Sequence, residues 1–322
     1  MSASTSPRSS KPDGIDIHHH FLPPFYVEAL KQSGHPEASA AATLAWSPEK
    51  SLAMMDKAGI ETAILSLSLP GASFTGAADP AALARRVNEY AAEMAAAYPA
   101  RFGAFASLPL QDAGAAMAEL EYALDTLKLD GVMLLSNVRG RYLGDPAFNR
   151  LLAELNRRKA IVFLHPNRAP GPGFNDFVEF PHDVSRALAS LTDSGAIERY
   201  SRIRYILAYG GGTIPFIAAR VTVVGMDVFG SLIKTMGRYF LRARTMRRMN
   251  YDLAASTDPY AWRALYRHAK ANRIMMGSNY PWTSPAAFAR QQAELRAFEE
   301  LDLESVAAIE RGNSLKLLRR PA

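Results

Sequence analysis

His18, His19 and His20 close a short apolar run that begins at Asp13, in a 322-residue chain holding seven histidines in all. Residues two apart on a strand share a face. His18 and His20 therefore point the same way from the strand end, as two ligands of one divalent ion must. Too few and too far inside the chain to be a tag, the three histidines leave two readings: half of a metal site, or a polar strand end with no ligand role.

Two histidines need a third donor, and the rest of the chain must bring it. Strand-like apolar runs recur at Ile15–Ile17, Thr62–Leu67, Phe102–Ala106, Gly131–Leu135, Ala160–Leu164, Ile203–Ala208, Asn250–Ala254 and Arg273–Met276. Amphipathic segments lie between them: Pro48–Lys57, Pro80–Tyr98, Ala113–Leu127, Ala147–Arg158, Asp183–Glu198 and Pro259–Lys270. Strands alternating with helices predict a parallel sheet, and eight such units predict a (β/α)8 TIM barrel over residues 13–322. In that fold, chemistry sits on the loops leaving the C-terminal strand ends. There stand His18 and His20 after strand 1, His165 after strand 5, Tyr209 after strand 6, Asp252 after strand 7 and Asn279 after strand 8. Three histidines converging on one mouth form a metal-site pattern.

The chain resembles the amidohydrolase superfamily, in the branch of aminocarboxymuconate-semialdehyde decarboxylase and the hydroxybenzoate decarboxylases. The stretches that carry the resemblance are Ile15–Pro23, Trp46–Glu49, Arg101–Ala106, Gly140–Pro146, Phe163–Pro166, Gly210–Phe216, Tyr251–Ala254, Met276–Pro281 and Gly312-Asn313, in the family's order. The resemblance implies one divalent metal, zinc or manganese, held by His18, His20 and His165. It also implies a strand-6 histidine and a strand-8 aspartate to handle protons. This chain has Tyr209 and Asn279 at those two positions.

Asn279 is neutral and offers a weaker oxygen ligand than aspartate. An ordinary tyrosine titrates near pH 10 rather than near neutrality. Three histidines still suffice for zinc with an open position, and the lost carboxylate leaves the site more positive, favouring an anionic substrate. The expected function is a metal-dependent lyase that decarboxylates an aromatic or enoate acid, with Tyr209, Asn279 and Asp252 as catalytic candidates. Two other readings stay open: a cofactor-free enzyme on the same scaffold, catalysing rearrangement, cyclisation or dehydration, or a silent binding protein or inactivated variant. No lysine stands at the end of strand 4, so a carbamylated binuclear centre is not expected.

Around the mouth, Arg139 and Arg141 are candidates to clamp a substrate carboxylate. Phe21, Trp46 and Trp282 are candidates to line an aromatic pocket. Asp16 shares the parity of His18 and is expected to orient a ligand, whereas His19 faces the other way. His35, His182 and His268 fall away from the mouth and receive no role. Gly210–Gly212 reads as a tight turn or an anion cradle, and the Asn167–Gly173 segment as a mobile lid.

Zero cysteines exclude disulfides and thiolate catalysis. No run approaches a membrane span, and residues 1–12 lack a signal peptide's apolar core, reading as a disordered extension. A cytoplasmic homodimer acting on a small carboxylic acid is expected. Of the net charge of +6, the densest share lies at Arg238–Arg248. That run reads as a solvated or subunit-contacting helix rather than a nucleic-acid surface.

Overall fold

The structure is a computed structural model that describes residues 13–168, 175–223, 232–256 and 258–318. The extension at 1–12 and positions 169–173 of the expected lid lie outside the described residues.

Eight parallel strands lie in chain order in one sheet. They are β1 (Gly14–Phe21), β2 (Ile60–Leu67), β3 (Phe102–Ala106), β4 (Gly131–Leu135), β5 (Ile161–His165), β6 (Arg204–Leu207), β7 (Asn250–Asp252) and β8 (Ile274–Met275). The ends of the sheet meet. Ile17 N–H donates to Met276 O at 3.0 Å, Asn279 N–H to His18 O at 2.8 Å, and His20 N–H to Tyr280 O at 2.7 Å. These bonds bring the two ends of the sheet together and nearly close the expected barrel.

The helices follow the sequence signals. Asp79, Asp112, Asp258, Ser47 and Ser284 cap helix N-termini with side-chain oxygens, meeting backbone N–H groups that have no partner within the helix. Two boundaries move. The helix expected at Ala113–Leu127 ends at Glu121 and continues as a wide turn over Tyr122–Thr126. The helix expected from Asp183 begins at Asp176, where Asn175 caps it.

Inside the barrel, Phe105 and Phe163 pack with ring centroids 5.8 Å apart, and Phe163 meets the His18 ring at 4.9 Å. This apolar layer is the floor on which the polar mouth rests. The basic run lies on the helix Leu232–Arg248. Its Arg242 is fully buried and donates to Glu198 Oε1 at 2.7 Å, Thr192 O at 2.7 Å and Thr222 O at 3.2 Å, so part of the run is structural. Among the described residues no helix is long and apolar enough to cross a membrane.

Candidate metal centre and substrate cavity

The ligand nitrogens of His18, His20 and His165 lie within 4.8 Å of one another, and all three side chains are buried. Their other ring nitrogens are each occupied. His18 Nδ1 donates to Asp252 Oδ2 at 2.9 Å, His20 Nδ1 to Ser66 O at 3.2 Å, and His165 Nδ1 to Pro166 O at 2.9 Å. These partners assign the Nδ1–H tautomer to every ring, which leaves three Nε2 lone pairs.

The lone pairs face inward. His18 Nε2 and His20 Nε2 are 3.0 Å apart, and His165 Nε2 is buried with no hydrogen-bond partner. Two acceptors at that distance repel unless they share a cation. Nitrogens that each sit about 2.0–2.1 Å from one ion are separated by roughly 3 Å. The three residues present therefore fit a divalent metal. Burial, and then the charges of neighbouring histidines, hold His20 and His165 well below the ordinary histidine range, so both stay neutral as ligands must.

Asp252, at the end of β7, accepts from His18 Nδ1, from Tyr209 N–H at 3.2 Å and from Ala254 N–H at 2.8 Å. Fully buried and triply engaged, it fixes the His18 ring rather than presenting a free acid to a substrate. It stands at the strand end expected from sequence, hydrogen-bonded to His18. Gly277 makes this packing attainable: a Cβ there would lie 2.9 Å from His18 Cβ and 3.2 Å from Asp252 Cβ.

Tyr209 and Asn279 both adopt left-handed backbone, with φ of 54° and 58°. Asparagine tolerates this region, whereas tyrosine there costs on the order of 1–2 kcal/mol. The Tyr209 ring lies 5.3 Å from that of His18 and 5.9 Å from that of His165, stacked 6.3 Å from Phe180. Burial first, then the Asp252 carboxylate, push its phenol well above the usual range, so it stays protonated. The Asn279 side chain beside it favours the phenolate slightly, although Asn279 Oδ1 is buried without a hydrogen-bond partner of ordinary geometry.

A cavity of about 380 Å³ opens on the loops after β2 to β5, and none of His18, His20 and His165 lines it. Leu69, Phe74, Leu108, Met133 and Leu135 make it apolar, while Arg139 and Arg168 bring positive charge. Arg168 is already paired with Glu37 and with Asp176. Arg139 donates to Gln111 Oε1 at 3.2 Å.

Several sequence expectations need correction. Phe21 and Trp46 do not line the cavity: Phe21 packs on Trp46 at 6.0 Å and on Tyr90 at 6.3 Å, on the helix-facing side of β1. Strand alternation that turns His18 and His20 inward turns Phe21 outward. Arg141 leans away to Asp145 at 3.6 Å and borders a separate surface hollow. Trp282 does not line the cavity either; it is 37% exposed, with Nε1 donating to Ser68 Oγ at 2.7 Å. His35, placed away from the mouth by sequence, lines the cavity. The Gly210–Gly212 run is a turn and not an anion cradle, because Gly211 and Gly212 N–H groups donate to Ala208 O and Tyr209 O.

The Asp16 side chain reaches His18 through the backbone N–H, which donates to Oδ1 at 3.1 Å, and not through the ring. A register irregularity in β1 between Asp16 and His19 brings its Oδ2 within 2.9 Å of His19 Nδ1. Ser278 Oγ donates to the same oxygen at 2.5 Å, and His18 and Ser278 N–H groups donate to Oδ1. His19 Nε2 in turn accepts from Ser51 Oγ at 2.9 Å, and Ser51 Oγ accepts from Trp46 Nε1 at 3.0 Å. Aspartate, histidine and serine thus line up as in a nucleophilic triad, yet Ser51 is fully buried. The network is a clamp between β1 and the loop after β8, which no spacing rule in the sequence signals.

An amidohydrolase family model matches residues 15–320. The decarboxylase yanB of Aspergillus niger is 36% identical, covering 96% of this chain and 88% of its own length. The 6-methylsalicylic acid decarboxylase of Penicillium expansum is 33% identical, with 95% and 96% covered. In fold, the chain matches the crystal structure of a dihydroxybenzoic acid decarboxylase from Polaromonas sp. JS666 with bound manganese and the inhibitor 2-nitroresorcinol. That match has a TM-score of 0.78 at 20% identity, with 95% of this chain and 97% of the other covered. With its barrel and its convergent histidines already in view, the chain belongs to the amidohydrolase family, in the branch that holds these decarboxylases.

Proposed function

We propose that the protein is a metal-dependent decarboxylase of an aromatic acid bearing a hydroxyl beside its carboxyl group, of the 6-methylsalicylic acid type. The single observation that carries the reading is the meeting of three buried Nε2 lone pairs, two of them 3.0 Å apart. A cofactor-free enzyme would leave those lone pairs opposed, so that alternative is the weaker one. His18, His20 and His165 would hold the ion, and an all-imidazole donor set suits zinc better than manganese. Bound there, the metal supplies Lewis acidity toward a carboxylate and its neighbouring oxygen.

The chain's own residues do the rest. The apolar wall of Leu108, Met133 and Leu135 takes the ring, and Arg139 draws the acid to the mouth. In decarboxylation the ring carbon gains a proton as its bond to the carboxyl carbon breaks, the bonding pair stays on the ring, and CO2 leaves. Asp252 is engaged by three donors and Asn279 has no acidic proton, which leaves the Tyr209 hydroxyl as the group that holds and passes the proton. Its burial keeps the proton in place until the ring becomes basic.

The chain is read as one barrel unit over 13–322 that acts in the cytoplasm as a homodimer. Exposed Phe216 and Phe240 are the apolar surface such a contact would use; sedimentation velocity tests it. The activity is tested by following CO2 release from 6-methylsalicylate, salicylate and 4-hydroxybenzoate. Turnover of the first two and not the third is expected, because only they place an oxygen next to the carboxyl group. Turnover of 4-hydroxybenzoate alone, or of none, overturns the substrate reading.

A further inference from the structure

A second cavity, of about 420 Å³, lies at the other end of the barrel, and its lining includes Arg202, Arg204, Arg244, Arg248 and Arg273. Arg204 opens β6, Arg273 immediately precedes β8, and Asn250 at its wall opens β7. These are N-terminal strand ends, opposite the mouth that carries the histidines. Arg244 and Arg248 come from the helix Leu232–Arg248, so the basic run noted in sequence converges on strand-end arginines far from it in the chain.

No aspartate or glutamate lines this cavity. Among the described residues no carboxylate lies within ion-pair distance of Arg202, Arg244, Arg248 or Arg273; Arg238 and Arg242 of the same helix pair with Glu198 instead. The neighbouring hollow on this face differs, since its Arg157 and Arg158 pair with Glu154 and Asp125. Arg204 is held by its Nε–H on Lys159 O at 2.8 Å and its Nη1–H on Leu317 O at 2.7 Å, which fixes one guanidinium at the rim. A concave wall with five cations of one sign focuses potential onto its centre.

We infer that this cavity is a binding site for a diphosphate group, free or as part of a nucleotide. Guanidinium forks match phosphate oxygens two at a time. An anion of one charge, such as the carboxylate substrate, would neutralise a single arginine and leave the rest opposed. The buried Tyr200 and Tyr205 in the wall offer no exposed ring for a base to stack on, so the phosphates are what the site reads.

Calorimetric titration of the intact protein with inorganic pyrophosphate, ADP and sulfate tests this. Expected is micromolar binding of pyrophosphate at about 0.15 M salt, at least tenfold tighter than sulfate. ADP matching pyrophosphate assigns the site to any diphosphate, and ADP binding tighter assigns it to nucleotides. The exposed pair Arg244→Ala with Arg248→Ala should weaken pyrophosphate roughly a hundredfold while leaving CO2 release unchanged. Sulfate binding as tightly as pyrophosphate, an unaltered double variant, or an oligonucleotide that binds without competition from pyrophosphate would each overturn the inference.

Discussion

Asp252 Oδ2 accepts a hydrogen bond from His18 Nδ1 at 2.9 Å, joining β7 to β1 across 234 positions of chain with both side chains fully buried. That bond sets the His18 tautomer and aims its Nε2 at His20 and His165. Replacing Asp252 by Asn should weaken metal binding by about 10- to 100-fold and lower turnover in proportion, with affinity read by competition against a chelating dye. Unchanged affinity with turnover lost would instead make Asp252 the acid.

Gly277 is the spacer behind that pair. Gly277→Ala places a methyl group 2.9 Å from His18 Cβ, so His18 or Asp252 must shift. Metal affinity should fall by at least about tenfold, since a ligand displaced by a fraction of an ångström loses its geometry. A variant with normal affinity would show that β1 relaxes freely, against the tight packing described.

Asp16 is engaged by four donors in the clamp between β1 and the loop carrying Asn279. Asp16→Asn turns one acceptor into a donor facing other donors. Denaturant unfolding should lose about 3 kcal/mol. Ser51→Ala, which removes the triad-like hydroxyl, should leave turnover near normal, because that serine meets no solvent.

His268 gives the stability curve an acid limb. Its Nε2–H donates to Tyr251 Oη at 3.0 Å, and burial first, then Arg247, lower its pKa to about 4. The unfolded value is near 6.5. The unfolded chain therefore binds the extra proton first, so this contribution is complete above about pH 6.5 and is lost as pH falls toward about 4, on the order of 2–3 kcal/mol. His268→Gln should flatten that limb in unfolding experiments between those pH values. A slope identical to that of the parent protein would assign the limb to other groups.

Asn279→Asp should tighten zinc binding by about tenfold or more, because a carboxylate neutralises charge where Asn279 Oδ1 now lies buried without a partner. Combined with Tyr209→His, it installs the pair that the family resemblance implies, and altered proton handling should appear as a shifted pH–rate profile. A profile that does not move would mean Tyr209 passes no proton.

The strands and the histidine cluster were legible because barrel units alternate apolar runs with amphipathic segments and because His18-x-His20 sits at a strand end. Side-chain destinations across the fold were less legible. Alternation placed His18 and His20 correctly, and the same rule applied to Phe21 would have turned it outward, where it is found against Tyr90. The β1 irregularity that sends Asp16 to His19 leaves no trace in composition or period. His35 reaches the cavity because two short helices, Pro24–Gln32 and Glu37–Leu44, fold back over the mouth, a loop path that strand periodicity does not encode. Arg139 lies in the turn of a short hairpin and borders the cavity, whereas Arg141 opens the returning strand and does not.

Metal content decides whether the three neutral imidazoles of His18, His20 and His165 share one ion. Elemental analysis of freshly purified protein, with a chelator-treated control and the His165→Ala variant, should find close to one zinc or manganese per chain in the first. It should find little in the other two, with CO2 release tracking metal. Full turnover in metal-free protein, or full metal content after His165→Ala, would contradict the account.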